Sequence, residues 1–161
     1  MKKKLLAILG MVAFVAVGLA GPAVADDTGT VTATVTAKII SITLDESLVE
    51  YFVVDLSSVD NVPSPSSFKA TNNGSVNEDF AIKGADTADW ALGAAGADTY
   101  RHRASSDGFS TEQDLTTTFA TFTGPTSPAA FETVSLKLDA PTSSSTAAEQ
   151  SAVVTVLATE S

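Results

Sequence analysis

The chain has no cysteine, one histidine, one tryptophan, two tyrosines and two methionines among its 161 residues. Without thiols there can be no disulfide staples, no thiolate metal site, no cysteine nucleophile and no acylated lipoprotein cysteine. The fold must rest on packing and sheet hydrogen bonds alone, which favours a well-formed sandwich over a loop-rich scaffold. A single histidine leaves no His pair for a metal and no His-Glu-x-x-His, and no Gly-x-Ser-x-Gly elbow occurs. Cations are scarce too: nine Lys and Arg stand against 19 Asp and Glu, a formal net charge of −10. A field of that sign repels phosphate backbones and anionic lipid headgroups, so no nucleic-acid partner and no peripheral membrane binding are expected.

Three of the nine cations are Lys2, Lys3 and Lys4. They precede an apolar run over residues 5–19 and the small-residue triplet Ala23-Val24-Ala25. This is the order of a secretory signal, with Ala23 and Ala25 as the residues that signal peptidase accepts. The run is shorter than the ~20 residues a helix needs to cross a bilayer core, so a retained anchor is the weaker reading. Cleavage before Asp26 is expected, giving a signal peptide at 1–25 and one β-sandwich domain at 26–161. The product would be secreted, extracellular or held at the cell surface, with no membrane insertion after cleavage. Six cations would then face all 19 acids, a net charge of about −13. The C-terminal residues carry no hydrophobic tail or sorting motif, so any attachment to a cell is expected to be non-covalent or through assembly.

From residue 30 to 38 the chain alternates: Val31, Ala33, Val35 and Ala37 share one parity and Thr30, Thr32, Thr34 and Thr36 the other. That is the period of a strand with an aliphatic and a threonine face. Further runs rich in Val, Ile, Thr and Phe at 39–44, 51–56, 67–72, 78–83, 115–122, 133–138 and 152–158 are separated by Gly, Pro, Ser, Asn or Asp. Tyr51-Phe52-Val53-Val54, apolar on both parities, suggests a central strand covered on both sides. Parity nominates Phe68, Ala70, Phe80, Ile82, Trp90, Leu92, Phe119, Val134, Leu136, Leu138, Val154 and Val156 for the core. The Ala-rich stretch 85–97 is the best helical candidate, but Gly93 and Gly96 argue against it. The expected class is all-β: a single Ig-like antiparallel sandwich, with a jelly-roll-like arrangement as the alternative.

Few residues suggest chemistry. Asn73-Gly74 reads as a tight turn between two strands, and Asn73-Gly74-Ser75 also spells an N-glycosylation acceptor. Asp86, Asp89, Asp98 and Asp107 lie in a Gly- and Ala-rich stretch and could offer hard oxygen ligands to Ca²⁺, although the spacing matches no EF-hand loop; solvated loop acids are the plainer reading. Tyr100-Arg101-His102-Arg103 holds the single histidine and the one local basic cluster, which is read as arginines pairing with exposed loop aspartates. Trp90, flanked by Ala88, Ala91 and Leu92, is read as a core plug, with a sugar-stacking platform as the alternative. Nothing marks two carboxylates as an acid–base pair. No catalytic residue, cofactor or metal site is therefore assigned, and the protein is not expected to be an enzyme.

The stretch from Ser67 to Ile82 reads "apolar strand, Asn-Gly-Ser turn, apolar strand" and resembles the corresponding segment of secreted Ig-like sandwiches. Among these it is most similar to the camelysin/TasA type of biofilm-fibre subunit, although the chain is much shorter. The resemblance covers about a tenth of the chain and implies a fibre or surface-layer protein with no catalytic residues. Two functions follow as expectations. The first is a structural cell-surface protein, with a self-assembling fibre or pilus subunit as its specific form. It would associate with itself or with other surface proteins by adding the strand of Val31, Ala33, Val35 and Ala37 to a neighbour's sheet. The plainer alternative makes that strand the first edge of its own sandwich. The second function is a soluble extracellular module binding Ca²⁺ or a glycan through the loops from Asp86 to Asp107.

Overall fold

The computed structural model describes residues 34–161, and all its regular structure is β. The strands are β1 (Ile42–Leu44), β2 (Ser67–Asn72), β3 (Glu78–Lys83), β4 (Ala91–Leu92), β5 (Thr99–Ser105), β6 (Gln113–Asp114), β7 (Ala120–Thr126), β8 (Phe131–Asp139) and β9 (Thr155–Glu160). One sheet runs β1-β2-β8-β5-β4, with β6 also pairing β5; the other is three-stranded, in the order β7-β3-β9. Both β2 and β3 have the bounds that period-2 alternation gives them, because each buries every second residue: Phe68, Ala70 and Asn72 on β2, and Glu78, Phe80 and Ile82 on β3.

The two sheets face each other across one core. Phe68, Ala70, Ala104, Val134 and Leu136 from the larger sheet meet Phe80 and Ile82 from the smaller, with Leu115 between. A satellite cluster of Tyr100, Leu138 and Ala140 continues it, with Trp90 and Leu92 packed alongside. Fully burying side chains of this size stabilises by roughly 1.5–3 kcal/mol each.

Several sequence expectations need correction. Residues 51–56 are not a central strand. Phe52 is 75% exposed and Val53 98% exposed, and positive φ at Phe52, Ser57 and Asp60 breaks the extended path. The run 115–122 is displaced: Thr116 bonds locally to Thr118, and strand β7 starts only at Ala120. Phe119 is therefore not a core residue; it is 40% exposed beneath the ammonium of Lys83. Val154 and Val156 are only partly covered. The sheet is not wholly antiparallel, since β4 pairs β5 in parallel at Ala91↔Thr99 and Leu92↔Tyr100. The Asn73-Gly74 segment is a turn, but it passes from one sheet to the other rather than closing a two-stranded hairpin. It needs glycine because a Cβ at Gly74 would collide with the Ile39 carbonyl and the Glu78 carboxylate.

The largest omission from the sequence reading is β5. It pairs β8 over five residues, from Arg101↔Asp139 to Ser105↔Ser135, and lies inside the larger sheet.

Candidate functional site

Strand β5 places the unusual side chains of this protein. On its inner side, His102 is 2% exposed and Tyr100 fully buried. His102 Nε2 lies 2.9 Å from the Tyr51 hydroxyl, and Nδ1 has no hydrogen-bond partner among the described residues. The Tyr100 hydroxyl donates to the Ala85 carbonyl at 2.6 Å, and the Tyr100 ring lies 6.4 Å from that of Trp90. Burial pushes the His102 pKa down to about 4 and raises that of Tyr100 to about 12; Tyr51 is raised as well, again chiefly by burial. At neutral pH the cluster is uncharged. A histidine that faces only a tyrosine, with no carboxylate on Nδ1, lacks the nucleophile–base–acid order of a catalytic triad.

The outer side of β5 is ionic. Arg103, with only 6% of its side chain exposed, holds Glu112 at 2.7 Å and Asp60 at 2.9 Å and pairs with the buried Asp139 of β8. Lys137, opposite Arg103 on β8, reaches Glu112 at 3.3 Å and Asp60 at 3.5 Å. Hydrogen bonding from Arg103 is the largest influence holding both Asp60 and Glu112 below the usual carboxylate range. The expected pairing with exposed loop aspartates fits Arg101 only in part: it binds the exposed Asp114 at 2.7 Å, but that residue lies on β6, and it also reaches Asp139 at 3.7 Å. That expectation does not describe Arg103, because the Asp139 that it meets comes from a neighbouring strand and is itself buried. Three cations interlock with four acids here, so the cluster clamps the 60s loop and residue 112 onto the sheet.

The four loop aspartates do not converge. Asp86 accepts the Leu92 N–H at 2.8 Å, Asp89 the Gln150 amide at 2.9 Å and Asp98 the Ser145 N–H at 2.6 Å. Asp107 accepts both the Ser105 hydroxyl at 2.8 Å and the Thr111 N–H at 2.9 Å. Each is engaged separately, Asp86 and Asp107 with residues close in sequence and Asp89 and Asp98 with the distant Gln150 and Ser145, and among the described residues no three His, Asp or Glu could hold one metal ion. Asn73 is exposed and donates to Thr43. Trp90 is half-buried and donates from Nε1 to Ser144 at 2.9 Å, neither a sealed core plug nor an open platform.

Ala23, Ala25, Asp26, Val31 and Ala33 lie outside the described residues. The described remainder of the alternating segment is exposed through residues 34–40, with no strand assigned; Val35 is 96% exposed. The larger compact unit spans Thr36–Ser161. There Ser75 receives the chain: its hydroxyl donates to the Ala37 carbonyl at 3.1 Å, and the Ile39 N–H donates to that hydroxyl at 2.9 Å. Lys38 pairs with Glu160 at the end of β9.

Among the described residues the sheets offer four edges, one of them shared by β4 and the two-residue β6. Strand β1 has three residues followed directly by Asp45 and Glu46, and β4 has two. Strand β7 carries Gly124-Pro125 and register shifts against β3. Strand β9 has six residues in unbroken register with β3 and no proline. The sequence reading overlooked this edge because a strand's place in a sheet is not written in its own alternation. No protein family, curated protein or solved structure matches the chain.

Proposed function

We propose that this is an exported, non-catalytic structural protein of the cell surface, an Ig-like sandwich that self-associates by adding its N-terminal alternating segment to the sheet of a neighbouring copy. The observation that carries the reading is the state of that segment where it enters the fold. Val35 and Ala37, with Thr34 before them and Thr36 between, are exposed and pair with no strand among the described residues, although they have strand alternation. Such a segment gains main-chain hydrogen bonds once it meets an open edge. The Lys-rich start, apolar run and Ala23-Val24-Ala25 support export, and the two-sheet core is what an Ig-like sandwich requires.

The test compares residues 26–161 with a chain starting at Thr36, by sedimentation velocity and circular dichroism. The reading expects concentration-dependent association of the longer chain and a folded, persistently monomeric shorter one. Unfolding of the shorter chain would make residues 26–35 an ordinary part of the domain instead.

A further inference from the structure

We infer that the acceptor for the N-terminal segment of a second copy is the outer edge of β9, which pairs with no other described strand than β3. This rests on the assembly reading above and adds to it the address.

Edge strands are normally protected by shortness, charge, proline or bulges, since a long unprotected edge invites another strand. Among the described residues, three of the four edges carry such protection. Strands β1 and β4 have three and two residues, with Asp45 and Glu46 directly after β1. Strand β7 has Pro125, which lacks an N–H, and an irregular register. Residues 151–159 have neither charge nor proline, and Glu160 is the first ionised residue of β9.

The register places the free hydrogen-bonding groups. The Ser161 N–H donates to the Asn77 carbonyl at 3.2 Å. Counting back in twos along the β3–β9 ladder, Thr159, Leu157 and Thr155 share their main-chain groups with β3. Those of Val156, Ala158 and Glu160 point away from it. The core is also incompletely covered on this side: Val154, Val156 and Ala158 pack against it yet are only partly buried, while Phe80 and Ile82 on the adjoining β3 are each 1% exposed.

The occupant fits by face and by charge. Residues 28–37 carry no charge, so they can approach a strongly acidic copy at an uncharged edge. Val31, Ala33, Val35 and Ala37 would extend the cover over Val154, Val156 and Ala158. The threonines between them would stand beside Thr155 and Thr159 on the outer face, a favourable cross-strand pairing. Because residues 34–37 pair with no strand among the described residues, the occupant is assigned to a second copy.

The experiment measures the critical concentration for assembly of residues 26–161 and of three variants, with circular dichroism as a check on folding. Ala158→Pro removes an outward N–H that β3 does not use. Leu157→Lys places a charge on the exposed face of the same edge and serves if the proline variant does not fold. Thr121→Lys marks β7. The expected result is at least a ten-fold rise for both β9 variants and no change for Thr121→Lys. Folded β9 variants that assemble at the wild-type concentration, or loss confined to Thr121→Lys, would overturn the acceptor while leaving the assembly reading intact. A wild-type chain that stays monomeric would overturn both.

Discussion

Tyr51 and His102, 51 residues apart, meet at 2.9 Å between the phenolic oxygen and Nε2, and this contact pins an irregular loop to the middle of the larger sheet. Removing the hydroxyl by Tyr51→Phe leaves a buried ring nitrogen without a partner. A loss of about 1–3 kcal/mol is expected, read as a lower urea midpoint at unchanged slope.

Burial of the same histidine makes stability depend on pH. The unfolded ring takes its proton near 6.5 and the folded one near 4, because burial disfavours the charged form. Between those values the unfolded chain binds more protons, so stability falls as pH drops from about 6.5 towards 4, by on the order of 3 kcal/mol in all. Asp60 and Glu112, held low by Arg103, contribute stability that is lost only at lower pH, as they protonate. Thermal melts from pH 7 to 5 should therefore show a decline in the wild type and little in His102→Gln; equal declines would contradict the assignment to His102.

The ion cluster yields a second expectation. Arg103→Met strands the buried Asp139 and should cost about 3–5 kcal/mol in urea unfolding, whereas Arg103→Met with Asp139→Leu should recover much of the loss. An additive double variant would mean that the two side chains do not act as a pair.

The corrected position of residues 51–56 is tested by contrast with the core. Phe80→Ala, at a site 1% exposed, should destabilise by about 3–5 kcal/mol. Val53→Ala, at a site 98% exposed, should change stability by no more than about 0.5 kcal/mol. A core-sized loss at Val53 would restore the central strand.

These contrasts show what the sequence makes legible. Ser67–Asn72 and Glu78–Lys83 could be bounded from sequence because each keeps one face dry and one wet, and alternation reports that directly. Tyr51-Phe52-Val53-Val54 misleads because an apolar run is silent about φ, and a positive φ at Phe52 turns it outward. Strand β5 is hidden for the opposite reason. Its inner positions include a histidine and its outer ones two arginines, so Tyr100, His102 and Ala104 resemble a charged cluster until Leu138 and Leu136 of β8 are seen opposite His102 and Ala104. The ion cluster gathers Asp60, Arg103, Glu112 and Asp139 from distant points in the chain, and the free edge of β9 depends on strand order; both are properties of topology, beyond any local window.

The most direct test of the central claim is negative-stain electron microscopy of concentrated residues 26–161 beside the chain beginning at Thr36. Regular filaments from the longer chain and dispersed particles from the shorter are the predicted result, and dispersed monomers from both would contradict the account.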